Sequence, residues 1–83
     1  MNTREDVARL LSSQLGPAYP ASTFSGETRL LGAIPELDSM AVVGLLTAIE
    51  ETFGIQIADD AVSADDFETV ATLVAFVDGH LQR

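Results

Sequence analysis

Apolar residues recur along this chain in three stretches with helical spacing. Val7, Leu10, Leu11 and Leu15 stand at i, i+3, i+4 and i+8, which places them on one face of a helix. That helix is expected to begin near Thr3, whose hydroxyl can cap orphan backbone N–H groups, with Glu5 and Asp6 at the positive end of the dipole. Gly16-Pro17 ends it. Val42, Leu45, Leu46, Ile49 and Phe53 form a second stripe and predict a helix from Ser39 to about Phe53, stopped by Gly54. Val70, Leu73, Val74, Val77 and Leu81 predict a last helix from near Thr69 to the C-terminus, with Phe67 packing just before its cap.

The intervening segments read differently. From Gly16 to about Asp38 there is no sustained period, and Gly or Pro recurs at positions 16, 17, 20, 26, 32 and 35. A connection of this length in a compact domain is usually functional or internally anchored. Phe24, Leu30, Leu31, Ile34 and Leu37 are the available anchors. After Gly54, Ile55-Gln56-Ile57 reads as extended or irregular, with no second strand to pair it. Asp59 to Asp66 is expected to hold one short helical turn with Val62 facing inward. The expected fold is all-α: a four-helix bundle of three long helices, one short helix and a long first loop, in a single domain over residues 1–83.

Charge narrows the range of partners. Thirteen Asp and Glu stand against four Arg and no Lys, for a formal charge of −9, and the ten carboxylates between Leu30 and Gln82 have no Lys or Arg among them. Such a field repels nucleic acid and anionic lipid and speeds encounter with basic protein surfaces. Charge alone is equally consistent with simple solubility. Cysteine is absent, which excludes a disulfide framework and a thiolate metal site. Met1 to Asp6 is polar and mixed in charge, unlike a signal peptide, and the apolar run Met40–Leu46 is far too short to span a membrane. A cytoplasmic monomer is the expectation.

The candidate chemistry centres on Leu37-Asp38-Ser39-Met40, at the start of the second helix. Asp or Ser before an apolar helical run is what an N-cap looks like. A serine there also offers its hydroxyl where unpaired N–H groups favour a bound anion, so a phosphate ester at Ser39 would sit in a favourable field. Asp38 could cap, and could also help a modifying enzyme bind its metal. Ser39 lacks the makings of a nucleophile: the chain's one histidine, His80, is the fourth residue from its end, and Gly-x-Ser-x-Gly is not present. Asp59, Asp60, Asp65, Asp66 and Glu68 cluster without the spacing of a calcium loop and read better as solvated helix-end carboxylates. Met40, Val43 and Thr47 fall off the buried stripe of the second helix, where a helix with one buried face would normally be polar.

From Leu37-Asp38-Ser39-Met40 through Phe53-Gly54-Ile55 the chain resembles the acyl carrier proteins, and the likeness covers nearly all of it. It includes the amphipathic first helix, the long anchored loop, Leu31-Gly32, the Asp-Ser pair, Leu45, Ile49, Glu50, Glu51 and Phe53, and Phe67-Glu68-Thr69-Val70. The resemblance implies a non-enzymatic carrier whose serine, here Ser39, receives phosphopantetheine from coenzyme A through a phosphopantetheinyl transferase. The thiol of that arm would hold acyl groups as thioesters, which accounts for a cysteine-free chain. Met40, Val43 and Thr47 would then meet partner enzymes, and Glu50 and Glu51 would draw their basic residues. Those partners would be the transferase and an acyl ligase, synthase or acyltransferase with a basic docking patch.

Two departures from the family pattern bear on the pathway. Met40 stands where Leu is usual, and Ala41-Val42-Val43-Gly44 replaces the early acidic residues common in carriers of fatty-acid synthesis. Met40 is a soft apolar substitute; the second departure favours a dedicated lipid, polyketide or polysaccharide-associated pathway. The run Leu31–Met40 is similar to that of free-standing carriers associated with acyl-ligases and exosortase-type protein-sorting or polysaccharide loci. Peptidyl or aminoacyl carriage shares the Asp-Ser site and stays open. From a different class, an unmodified acidic helical adaptor that binds basic partners also stays open.

Overall fold

Each of the three periodic stretches forms an α-helix: α1 (Thr3–Leu15), α2 (Ser39–Phe53) and α3 (Val70–Leu81). The structure is a computed structural model and describes residues 3–81, apart from the side chain of Asp59. Met1 and Asn2 of the polar N-terminus, Gln82 at the end of the acidic stretch, and the Asp59 side chain of the acidic cluster lie outside this description. Thr3 is the first residue of α1, so the position where a cap would stand precedes the described residues. Gly54, at φ 67° and ψ 37°, ends α2 in the left-handed conformation, and its N–H bonds to the Glu50 carbonyl.

The expected fourth helix is not continuous. Its place is taken by two 3₁₀ turns, Asp59–Ala61 and Ala64–Phe67, and a third such turn, Ala21–Thr23, lies in the first loop. Val62 and Ser63 separate the two turns in extended conformation, at φ −116° and −135°. Local side-chain bonding explains the break. The Ser63 N–H donates to Asp66 Oδ2 at 2.9 Å, a reciprocal capping arrangement that starts a new turn at Ala64. Val62 still packs against the core, as its pattern predicts.

The core draws on every segment. Val7, Ala8 and Leu11 come from α1, Leu45 and Ile49 from α2, and Val70, Leu73 and Val77 from α3; Phe67 joins them from the turn before α3. Phe24, Leu30, Ile34 and Leu37 of the long loop are buried with them, so four of the five expected anchors hold. The exception is Leu31, whose side chain is exposed while its N–H bonds to the Phe67 carbonyl at 2.9 Å. Leu81, expected on the buried stripe of α3, is exposed in the last turn. Leu10, Leu15, Val42, Leu46, Phe53 and Val74 are half-buried against the core.

Backbone pairing ties the loop to α3. The Leu30 N–H donates to Glu68 O at 2.9 Å, and the Val70 and Ala71 N–H groups donate to Thr28 O at 3.0 Å and Gly26 O at 2.9 Å. Arg29 and Thr69 form an isolated antiparallel bridge, and no strand occurs among the described residues. The next two donors of α3 are met locally. Thr72 N–H reaches Thr69 Oγ1 at 3.2 Å, and Leu73 N–H reaches Thr69 O at 3.1 Å. The Thr69 N–H in turn reaches Thr72 Oγ1 at 3.0 Å, so the four N–H groups at the start of α3 that lack a helical acceptor each have a partner, two of them supplied by the loop.

Two expectations about stability follow. The Arg9–Asp6 pair, at 3.5 Å on the surface, offsets little of the acidic charge. The melting temperature should therefore rise with monovalent salt, and at lower concentration with magnesium or calcium; indifference to both ions would show the carboxylates too dispersed to matter. The second concerns Gly44, inside α2. A Cβ there would lie 2.6 Å from Gln14 Oε1, the far end of a flexible side chain on α1. Gln14 can swing away, so Gly44→Ala should be neutral or stabilise by up to about 1 kcal/mol. Its neighbour Leu45, fully buried, should cost roughly 2–5 kcal/mol as Leu45→Ala in urea denaturation.

Candidate functional site

Ser39 is the first residue of α2 and is exposed. Asp38 precedes it in extended conformation, and its Oδ1 accepts from the Ala41 N–H at 2.9 Å, while its carbonyl accepts the Val42 N–H at 2.9 Å. The expected cap is thus present, and Asp38 rather than Ser39 supplies it. The Ser39 hydroxyl has no hydrogen bond among the described residues, and neither do the Ser39 and Met40 N–H groups. An exposed hydroxyl beside two unspent donors at a helix N-terminus suits a phosphate ester.

The approach to Ser39 is held in place from below. Leu37 is buried, its N–H bonds to Ile34 O at 3.0 Å, and the Leu30 carbonyl accepts from both Ala33 and Ile34 N–H groups at 3.1 and 3.0 Å. Gly32, at φ 85°, supplies the left-handed residue this tight path needs. A contact that periodicity gave no means of finding adds a lateral tie: the Tyr19 hydroxyl donates to Glu36 Oε1 at 2.7 Å. That bond, with some loss of hydration and the charge of Glu36, holds the Tyr19 phenol above its ordinary range. Both residues sit in aperiodic stretches, where no pattern pairs them.

The outward face of α2 divides by chemistry. Met40 is 79% exposed and Val43 61% exposed, the largest exposures of any big apolar side chain described. Thr47 is also exposed, but its hydroxyl donates back to Val43 O at 3.1 Å, an i−4 bond within the helix. Glu51 is exposed without a bond among the described residues. Glu50 is different. It is half-buried, and its Oε2 accepts the Ile57 N–H at 2.7 Å, so it pins the chain after α2. The two glutamates paired by sequence reasoning therefore differ in task, because one carboxylate turns back to an orphan backbone donor.

The remaining candidates lie elsewhere. His80 is half-buried on α3, its ring tilted by 55° against that of Phe76 with centroids 4.6 Å apart. Its Nδ1 lies 3.0 Å from the Phe76 carbonyl, which can only accept, so Nδ1 carries the proton of that bond. In the acidic cluster Asp66 is engaged as a cap on Ser63. That matches the helix-end reading of this cluster.

The family model described as a phosphopantetheine attachment site matches residues 36–77, just over half of the chain. The whole chain is also similar to the solution structure of a holo acyl carrier protein from Nitrosomonas europaea, with 42% identity, a TM-score of 0.88 and full coverage of both chains. The chain belongs to the acyl carrier protein family. It is a carrier protein, and its prosthetic group is covalently attached phosphopantetheine. The matched segment begins at Glu36 and ends at Val77, so it takes in the Asp38–Ser39 corner, α2 and the contacts of α3 described above. Among the described residues no helix is long and apolar enough to cross a membrane.

Removal of each carboxylate near α2 should separate their tasks in urea denaturation. Glu50→Ala should destabilise the carrier by about 1–3 kcal/mol through the orphaned Ile57 N–H. Asp38→Ala should cost about 1 kcal/mol as a lost cap. Glu51→Ala should stay within about 0.5 kcal/mol of the parent.

Proposed function

We propose that Ser39 is the attachment residue and that the carrier holds acyl groups as thioesters for partner enzymes. The observation that carries this reading is the Ser39 hydroxyl itself: exposed, without an internal bond among the described residues, on a helix start that Asp38 caps. In the modification, Ser39 Oγ forms a bond to the phosphorus that bears the pantetheine arm of coenzyme A. The phosphoanhydride bond breaks, adenosine 3′,5′-bisphosphate leaves, and the hydroxyl proton passes to a base of the transferase. The attached arm supplies a thiol at the end of a flexible tether. The carrier's own residues position and present it. Leu37 and the Tyr19–Glu36 bond steady the corner, and the unspent N–H groups of Ser39 and Met40 face the phosphate. Asp38, exposed and with its second carboxylate oxygen unspent, helps the transferase bind its metal.

The partners proposed are the phosphopantetheinyl transferase and an acyl ligase, synthase or acyltransferase with a basic docking patch, met by Met40, Val43, Thr47 and Glu51. Glu50 adds its charge to that face while serving the fold. The apolar first turns of α2 support a dedicated lipid, polyketide or polysaccharide-associated pathway over general fatty-acid synthesis. Peptidyl carriage would use the same serine. Family membership and its attached phosphopantetheine leave no ground for an unmodified adaptor.

Incubation with coenzyme A, magnesium and a broad-specificity transferase should add one phosphopantetheine mass, mapped to Ser39 by peptide mass spectrometry. Ser39→Ala should abolish the addition and keep the helical circular dichroism of the parent, since Asp38 retains the cap. Addition at any other residue, or none where a control carrier is converted, would refute the assignment.

A further inference from the structure

The positive charge of this acidic chain is gathered away from α2. Two of its four arginines, Arg4 and Arg9, line a cavity of about 370 Å³ between α1 and the Ala21–Thr23 turn. That size falls in the roughly 300–1,000 Å³ range of small-molecule sites. The two arginines stand five residues apart on α1, about 7.5 Å at the helical rise. Ser22 and Ser25 line the cavity from the loop, and the buried side chains of Ala8 and Phe24 give it an apolar floor. Gln14 lies beside Gly44 and Tyr19 bonds to Glu36, so the C-terminal end of α1 is the end near Ser39. Arg4 is ten residues back from Gln14, about 15 Å along the helix. The cavity shares no residue with the Ser39 corner or with α2.

The polar groups on its walls are not equally engaged. Arg4 is exposed and makes no hydrogen bond or ion pair among the described residues. Arg9, its side chain 70% exposed, touches Asp6 through one nitrogen at 3.5 Å, which leaves the rest of its donor fork to solvent. The Ser25 hydroxyl lies 3.2 Å from that of Thr28, whereas the Ser22 hydroxyl has no bond among the described residues. Two guanidinium groups and a hydroxyl are therefore open donors above an apolar floor. Glu5 is also on the wall, engaged in an interaction of its own, and Asp6 stands next to Arg9. These two carboxylates limit the charge a ligand can bring. A monoanion finds two cations at its head, whereas the dianion of a phosphate ester meets more repulsion from Glu5 and Asp6.

We propose that this cavity is a binding site for an aliphatic carboxylate, its head between Arg4 and Arg9 and its chain on Ala8 and Phe24. The head accepts charge-assisted hydrogen bonds from the guanidinium groups and one from the Ser22 hydroxyl, while the chain loses water against the apolar floor. Neither half suffices alone. Exposed guanidinium groups hold a bare carboxylate weakly, and an uncharged chain leaves both arginines unused. The site takes a free acid, and it depends neither on an attached arm nor on Ser39 as the attachment residue.

The test titrates the full-length carrier with octanoate and follows its backbone amides by proton–nitrogen NMR. Saturable shifts should concentrate at residues 4–9 and 21–25. The double variant Arg4→Gln/Arg9→Gln should weaken octanoate binding about fivefold or more, through loss of the charge-assisted bonds. Octanol, with the same chain and no charge, should also bind at least about fivefold more weakly, and acetate, with the charge and almost no chain, should not saturate. Thermal melts of the double variant should stay close to those of the parent, because both side chains are exposed. Ser39→Ala should bind octanoate as the parent does, so failure of the attachment reading would leave this site standing. Absence of saturable shifts, shifts confined to core residues such as Leu45 and Ile49, octanol binding as tight as octanoate, or undiminished affinity in the double variant would each overturn the proposal.

Discussion

The pairing of the long loop with the first turn of α3 is the constraint on which the rest of the structure depends. A helix start exposes four N–H groups, and leaving them unpaired in a packed region is costly. Here the carbonyls of Gly26 and Thr28 take two of the four, and the hydroxyls of Thr72 and Thr69 take each other's N–H groups. The exchange runs both ways, because Leu30 and Leu31 place their own N–H groups on the carbonyls of Glu68 and Phe67. A segment that lacks regular structure is thereby fixed at its middle. Leu30, Ile34 and Leu37 can then drop into the core in sequence, and the last of them delivers Asp38 and Ser39 to the head of α2.

That chain of dependence accounts for what was legible in the sequence. The helices were readable because each buries one stripe, and Leu45, Ile49, Leu73 and Val77 lie where a 3.6-residue period puts them. The place of Ser39 at the head of α2 was readable because a capping pair followed by an apolar run is a local signal. The Tyr19–Glu36 bond, the bridge at Arg29 and Thr69, and the turn of Glu50 toward Ile57 were not. Each joins residues whose pairing depends on tertiary placement, and no periodicity marks it. The short fourth helix is met only in part, as two 3₁₀ turns, for a different reason. Its composition permits a helical turn, but Ser63 and Asp66 satisfy one another across a break that Val62 spans in extended form. Leu31 shows the limit of hydrophobicity as a guide: its backbone, not its side chain, is what anchors it.

Acidity likewise serves two ends that composition cannot separate. Asp38 and Asp66 each occupy a backbone donor at a turn or helix start, and Glu50 occupies one beyond a helix end. Glu36 fixes a tyrosine beside the site. A part of the negative charge is therefore structural and would be present whatever the carrier met. The rest, Glu51 among it, faces solvent and gives the molecule its long-range field.

A carrier does no chemistry with its own side chains, so its surface near the site is free to be specified by what must bind there. At the head of α2 the fold has used the available hydrogen-bonding groups to build and steady the corner, down to the hydroxyl of Thr47. The Ser39 hydroxyl, the two N–H groups beside it, and the side chains of Met40 and Val43 remain available to a partner. The first three suit a phosphate and the last two suit an apolar surface. Met40 and Val43 are the most exposed large apolar side chains described.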